Sequence, residues 1–558
     1  MDSNLLKTKS IEQLVGDVEH GSKALKRSLT AWDLTLLGIG AIIGTGIFVL
    51  TGTAAANQAG PAIMMSYLFA GLACGFAALC YAEFASMIPI AGSAYTYAYA
   101  TMGELFAWII GWDLILEYAV GSMTVAIGWS GYMQKLLSGA GIALPVWMSA
   151  APSASSPGAL INLPAVIIVL CIMYLLVVGI RESARFNAVM VGVKLAAVLF
   201  FIGAGAVYVK PENWEPFTPY GWSGVMGAAG VVFFAYIGFD AVSTTAEEAK
   251  NPQRDLPIGI IASLVLCTTL YLVVAAILTG IVPVVEYKAN QEFLNAPVAF
   301  ALSLIGQDWA AYLVSAGAVA GITSVLLVML MSQPRIFFAM SRDGLLPQGV
   351  SKVHPKYGTP YITTVITCVV VAIVAGFTQI QTVGEMTSIG TLFAFAIVCG
   401  AVLILRVSRP EVHRPFRVPF GPVFPVLGIL SCVYLMLNLP IITWVRFLVW
   451  LDLGMLIYWF YGRTHSPLVD KRESASRSAF ETIANFVFVM GVLAVFNTVC
   501  ITVLAYMTEF GLTTETIAKW HEIGVTPEAA DAFGLKWLAV SIAVLVAGFG
   551  MRKASAAK

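Results

Sequence analysis

Charge is what this chain of 558 residues has least of: Asp, Glu, Lys and Arg together make up 11% of it. Soluble globular domains carry about 25%. That deficit, with a mean hydropathy of +0.85, excludes a water-soluble domain. Histidine is scarce as well. All five histidines (20, 354, 413, 465 and 521) fall in loops or tails, which excludes a histidine-based proton relay within the membrane. The eight cysteines, at 74, 80, 171, 267, 368, 399, 432 and 500, lie in apolar runs without metal-ligand spacing. They read as small buried hydrophobes, and neither a metal nor a cofactor is expected. Hydrolytic signatures are missing too. There is no HExxH and no GxSxG, and His521-Glu522 leads to Val525 where a zinc motif needs its second histidine. An intramembrane enzyme is therefore not expected. Acidic and basic residues balance at 31 each, so nucleic acid is not an expected partner. Met1 to Thr30 is polar, with no apolar core of a signal peptide, and no cleaved leader is expected.

What remains is long apolar runs, the mark of an all-α integral membrane protein in a lipid bilayer. Helices are expected near 33–56, 61–88, 103–131, 161–180, 186–208, 221–245, 255–282, 307–340, 360–378, 385–406, 422–440, 443–462, 480–508 and 534–551, about fourteen in all. Segment 89–102, small and aromatic, reads as a re-entrant or interfacial piece. Segment 283–306 reads as an outer loop with short helical stretches, and 509–533 as a polar outer connection. Basic residues follow the positive-inside rule. Segments on one side hold only Lys135, Lys210, Lys288, Lys519 and Lys536; Lys194 and Arg446 lie in or beside helices, and the rest fall on the other side. Both termini are thereby assigned to the cytoplasm.

The chain is organised around Gly38-Ile39-Gly40-Ala41-Ile42-Ile43-Gly44-Thr45-Gly46-Ile47-Phe48. Each glycine inside a helix costs about 1 kcal/mol relative to alanine. Four of them near mid-span point either to local unwinding or to close helix packing of the GxxxG kind. Unwound backbone would offer free N–H and C=O groups to a charged solute. A second glycine-broken span, Gly227-Ala228-Ala229-Gly230 running on to Phe239-Asp240, occupies the matching place in the next block of five helices. Five is odd, so blocks 33–208 and 221–406 enter the membrane from opposite sides. Inverted repeats with interrupted helices in corresponding positions mark the binding site of a secondary transporter. The remaining parts are a cytoplasmic tail (1–32), helices 407–462, a linker (463–479), two further helices (480–551) and a C-terminal tail (552–558).

Charges inside a bilayer cost about 2.5–3.5 kcal/mol each by insertion scales, so the few present are informative. Lys194 lies nine residues past Arg185, about 13 Å into its helix. It either gains and loses a proton beside unwound carbonyls or stays charged as a tie between helices. Asp113 and Glu117 share one face of the third helix. Glu117 either attracts a cationic side chain of a solute or serves as an internal partner. Glu83, at the inner end of helix 2, suits gating or packing. Asp240, with Glu247 and Glu248, suits an inner gate or a surface cluster.

The glycine stretch resembles the helix 1 motif of the amino acid–polyamine–organocation superfamily. Phe233-Phe234-Ala235-Tyr236-Ile237-Gly238-Phe239-Asp240, continuing through Glu247-Glu248 to Asn251-Pro252-Gln253-Arg254-Asp255-Leu256-Pro257, is similar to the signature of its cationic amino acid transporter branch. The likeness runs over about residues 25–460, and the last two spans suit members with fourteen helices. It implies a LeuT-like 5+5 inverted-repeat fold with broken helices 1 and 6 and no sodium requirement. It further implies that Ile42-Ile43-Gly44-Thr45-Gly46 binds substrate, with Thr45 and the amides of Gly44 and Gly46 on the α-carboxylate. Carbonyls of Ile42, Phe234, Ala235 and Ile237 would take the α-ammonium group. Lys194 matches the family's proton-linked lysine, and Glu117 its acidic residue near the substrate side chain. The expectation is a proton-coupled symporter of cationic or diverse L-amino acids in a bacterial inner membrane. A proton-independent exchanger or a non-transporting sensor is the alternative. The sequence is silent on a small accessory membrane subunit, for which the family leaves room.

Overall fold

The computed structural model describes residue 8 and residues 29–88, 93–153, 156–178, 184–352, 354–357, 359–466, 487–499, 541–542 and 545–547. Among these the elements are helices, with two isolated β-bridges and no strand. Seven helical runs are long and apolar enough to cross a membrane, and six shorter apolar helices accompany them.

Thr30 opens α1 (Ala31–Ile42) with a reciprocal cap. Its hydroxyl accepts from the Asp33 N–H at 3.4 Å, and Asp33 Oδ2 accepts from the Thr30 N–H at 2.9 Å. Two of the orphan donors at a helix start are satisfied in this way. The helix stops where the glycines accumulate: Ile43 is extended, with φ −72° and ψ 106°. Helix resumes at Gly46 and proceeds to Ala59 through two π-turns, Gly46–Leu50 and Ala55–Ala59. There follow α2 (Ile63–Met87), α3 (Ser93–Thr101), α4 (Glu104–Gly139), α5 (Leu163–Val178) and α6 (Ala184–Gly205). The next span, α7 (Gly221–Val232), also fails midway. It tightens into a 3₁₀ turn at Phe233–Tyr236, extends at Ile237 (φ −59°, ψ 133°), and resumes as 3₁₀ turns over Asp240–Glu248. Next come α8 (Pro252–Ile281), α9 (Asp308–Arg342), α10 (Tyr361–Phe377), α11 (Ile380–Ser408), α12 (Val423–Leu437), α13 (Ile441–Ile457) and α14 (Val487–Val499). Proline sits at the first turn of α8 and just before α10, α12 and α13, where its missing N–H is no loss.

Helix α4 is the central strut and packs on α9 and α11, while α8 packs on both α1 and α2. Lipid tails are as apolar as leucine, so shape and polar bonds hold such helices together. The α4–α13 seam is an example. Trp112 and Trp450 stack at 4.5 Å, and each indole N–H donates to the other's carbonyl, at 2.8 and 3.1 Å.

Segment 283–306 folds as the expected short helices, Glu286–Ala289, Gln291–Asn295 and Pro297–Leu304. The stretch 422–462 divides into α12 and α13 at Pro440. One expectation needs correcting: Cys171, on the outward face of α5, is exposed rather than buried, while Cys74, Cys80, Cys267, Cys368, Cys399 and Cys432 are buried free thiols. Residues 89–92 and 509–533, most of spans 480–508 and 534–551, and Cys500 lie outside the described residues.

Candidate functional site

The two interruptions meet. A Cβ at Gly46 would stand 2.4 Å from Ala235 Cα, and one at Gly238 would stand 2.8 Å from the Ala41 carbonyl carbon. Gly238 also has φ +121°, a conformation that side chains with a Cβ rarely adopt. Here the glycines act as the means by which two broken backbones touch.

Breaking a helix frees carbonyls, and buried carbonyls need donors. Lys194 comes from α6 past Gly321 of α9, where a Cβ would lie 2.8 Å from Lys194 Cβ. Its fully buried ammonium donates to Gly40 O at 2.5 Å and Ile43 O at 3.1 Å. Tyr271 of α8 places its hydroxyl 2.9 Å from Ile42 O and 2.8 Å from Ala235 O. A hydroxyl has one proton, so it is shared between a carbonyl of each broken span. Tyr67 of α2 donates to Gly46 O at 3.0 Å, and Tyr132 of α4 to Phe48 O at 2.6 Å. Phe234 O accepts from the Ile237 N–H at 3.1 Å, closing the 3₁₀ turn. Of the residues expected to bind an ammonium group, Ile42 and Ala235 are thus brought to one point.

Thr45 lies in the chain between Ile43 and Gly46, whose carbonyls are among those capped. Among the described residues its buried Oγ1 has no hydrogen-bond partner, which leaves a donor and acceptor beside the break. The neighbours are small or apolar. A Cβ at Gly128 would fall 2.3 Å from Thr45 Cγ2, and Val325 faces Gly44.

The acidic residues lie elsewhere. Glu117 is eleven residues before Gly128 on α4, about 16 Å along the helix axis. Its Oε1 and both carboxyl oxygens of Asp113 are buried without a hydrogen-bond partner among the described residues. Neither residue makes an ion pair with Lys194 among those residues. Asp240 Oδ1 accepts from the Gly238 N–H at 3.2 Å, so it steadies the second break. Glu83 is buried at the end of α2 and grips Arg406, with Arg414 Nε at 3.5 Å and the Val418 N–H at 2.8 Å. This clasp joins α2 to the segment after α11. The side chains of Glu247 and Glu248 lie outside the described residues.

Sequence reading missed Tyr67, Tyr271 and Tyr132. The available signal was their position inside apolar spans, since a buried tyrosine hydroxyl usually finds a partner.

Residues 29–462 match the family model described as amino acid permease. The chain is 53% identical over 469 residues to the branched-chain amino acid permease BcaP of Bacillus subtilis (strain 168), covering 84% of this chain and 100% of that one. It is 49% identical over 466 residues to the methylthioribose transporter of the same organism, covering 84% and 99%. Cationic amino acid transporter 4, vacuolar, of Arabidopsis thaliana is 31% identical over 586 residues, covering 84% and 96%.

Proposed function

The chain belongs to the amino acid permease family of the amino acid–polyamine–organocation superfamily, and from that premise we propose that it is a proton-coupled symporter of L-amino acids working by alternating access. It is a multi-pass membrane transporter rather than an enzyme. In this reading, 33–208 and 221–406 are inverted repeats of a LeuT-like fold, and the later helices are peripheral. The bacterial inner membrane is its place, with both termini cytoplasmic.

The observation that carries the reading is the meeting of two interrupted helices at which Lys194 donates to Gly40 O and Ile43 O. The α-carboxylate would bind at Gly44, Thr45 and Gly46, meeting the Thr45 hydroxyl, which has no hydrogen-bond partner among the described residues. The α-ammonium would take the carbonyls of Ile42, Phe234, Ala235 and Ile237. Deprotonation of Lys194 would loosen its grip on α1 and link proton release to movement of that helix. For specificity, BcaP bears a branched-chain name and the plant relative a cationic one. With apolar neighbours at the break and Glu117 farther along α4, we favour broad specificity, with Glu117 acting on cationic side chains.

One observation favours a second reading. A lysine held by two carbonyls is also a sound permanent tie, and an exchanger or uniporter would need nothing more. Uptake of labelled leucine into proteoliposomes with an imposed pH gradient separates the two. Symport predicts accumulation driven by the gradient and lost in Lys194→Ala, with exchange across the membrane retained. Uptake indifferent to the gradient in the unaltered protein overturns the proposal.

A further inference from the structure

The segment between α11 and α12, residues 409–422, is charged, tightly bonded and largely exposed. Its arginines divide into two groups. Arg414 turns inward: it donates to the carbonyls of Leu405, Arg409, Pro410 and Val412 and faces Glu83. Arg406 at the end of α11 also grips Glu83 and donates to Gly421 O at 2.6 Å. Arg409 and Arg417 remain nearer the surface. Arg417 is exposed, and Arg409 is half-buried and, among the described residues, donates to Thr8 Oγ1 at 3.3 Å. Among the described residues Arg406, Arg409, Arg414 and Arg417 meet two acids here, Glu83 and the exposed Glu411, so this loop is net positive.

Apolar groups stand beside these charges. Phe420 is 74% exposed and Val407 85%. The first turn of α12 follows with exposed Val423, and Phe420 touches Phe424 at 5.1 Å. Phe420 is also the single non-glycine residue with positive φ among those described, at 57°, followed by Gly421 at 61°. A bulky residue in that region is costly. Here the conformation is held by the Arg406 bond to Gly421 O, and its effect is to turn a phenylalanine outward at the end of a membrane helix. Aromatic residues at that depth sit at the headgroup level.

We propose that this loop is a binding site for an anionic phospholipid, with Arg409 and Arg417 on the headgroup phosphate and Phe420 and Val423 against the acyl chains. In the proposed orientation the loop lies at the cytoplasmic leaflet. The site stands on surface chemistry and does not depend on the coupling mechanism of transport. Because Arg406 joins the Phe420–Gly421 turn to Glu83, a bound lipid would also steady the α2–α11 clasp.

The test uses purified full-length protein in a neutral detergent, titrated with phosphatidylglycerol, with phosphatidylcholine of the same chains, or with inorganic phosphate. Thermal midpoint and lipid adducts in native mass spectrometry are the readouts. Phosphatidylglycerol should raise the midpoint more than phosphatidylcholine does, and high salt should erase the difference, as for exposed charges. With about 1 kcal/mol per basic residue near an anionic surface, the double variant Arg409→Gln/Arg417→Gln should weaken phosphatidylglycerol about 30-fold. Phe420→Ser should weaken both lipids. The proposal is overturned if the two lipids act alike on the unaltered protein, if the double variant keeps full preference, or if phosphate alone reproduces the effect.

Discussion

Tyr271 carries the sharpest consequence of any single residue. One hydroxyl proton serves two carbonyls, Ile42 O and Ala235 O, the pair on which a substrate ammonium is proposed to land. The tyrosine ties the two broken spans together, and under that proposal it would compete with substrate for those acceptors. Tyr271→Phe should lower the melting point of the ligand-free protein, with a loss of about 0.5–1.5 kcal/mol for one hydrogen bond. The same variant should show a larger stabilisation by added amino acid than the unaltered protein does. An unchanged melting point together with unchanged ligand response would reduce Tyr271 to a packing residue. Glu117 supports a prediction of a different kind. Among the described residues its Oε1 lacks a hydrogen-bond partner, and about 16 Å of helix separates it from the Thr45 contact, so only a long side chain would approach it. Glu117→Gln should weaken binding of lysine and arginine and spare alanine, read by ligand-induced thermal stabilisation. Equal loss for all three assigns Glu117 to structure.

The two broken spans work as a unit because glycine lets them touch. Gly238→Ala asks an alanine to adopt φ +121° with its Cβ 2.8 Å from the Ala41 carbonyl carbon. Strained backbone of this kind costs on the order of 1–3 kcal/mol, and here it would also push α1 away from the second break. We expect a lower melting point and loss of substrate-induced stabilisation, measured in the same thermal assay. Retention of full ligand response would show that the contact between the spans is dispensable. The interruptions were readable in advance because glycine in an apolar span is expensive and must be repaid by geometry, and four fell within Gly38–Gly46. Lys194 was readable for the same reason. The donors that satisfy the freed carbonyls were not. Tyr67, Tyr132 and Tyr271 come from three other helices, and an apolar span carries little periodic signal to say which face meets which neighbour. The Trp112–Trp450 seam was equally hidden, since it depends on how α13 docks on α4. Cys171 was misjudged because in a bilayer an apolar neighbourhood in sequence does not distinguish the protein interior from lipid.

For the molecule as a whole the decisive quantity is the charge that crosses the membrane in one cycle. A neutral amino acid is a zwitterion and carries no net charge, so any electrical response must come from a co-transported ion. At about 100 mV, inside negative, each inward positive charge gains about 2.3 kcal/mol, roughly a 50-fold gradient at 1.4 kcal/mol per decade. A cationic amino acid moving with a proton carries two such charges, an upper bound near 2,500-fold. Proteoliposomes given a potassium diffusion potential and equal pH on both sides test this without any mutation. If Lys194 releases a proton to the inside with each cycle, labelled leucine should accumulate against its gradient, and a proton ionophore with the potential clamped at zero should abolish the accumulation. If Lys194 keeps its charge and only ties α6 to Gly40 O and Ile43 O, leucine should equilibrate without concentrating. Lysine would still follow the potential with a single charge, and the ratio of the two accumulations would then reveal a uniporter or exchanger in place of a symporter.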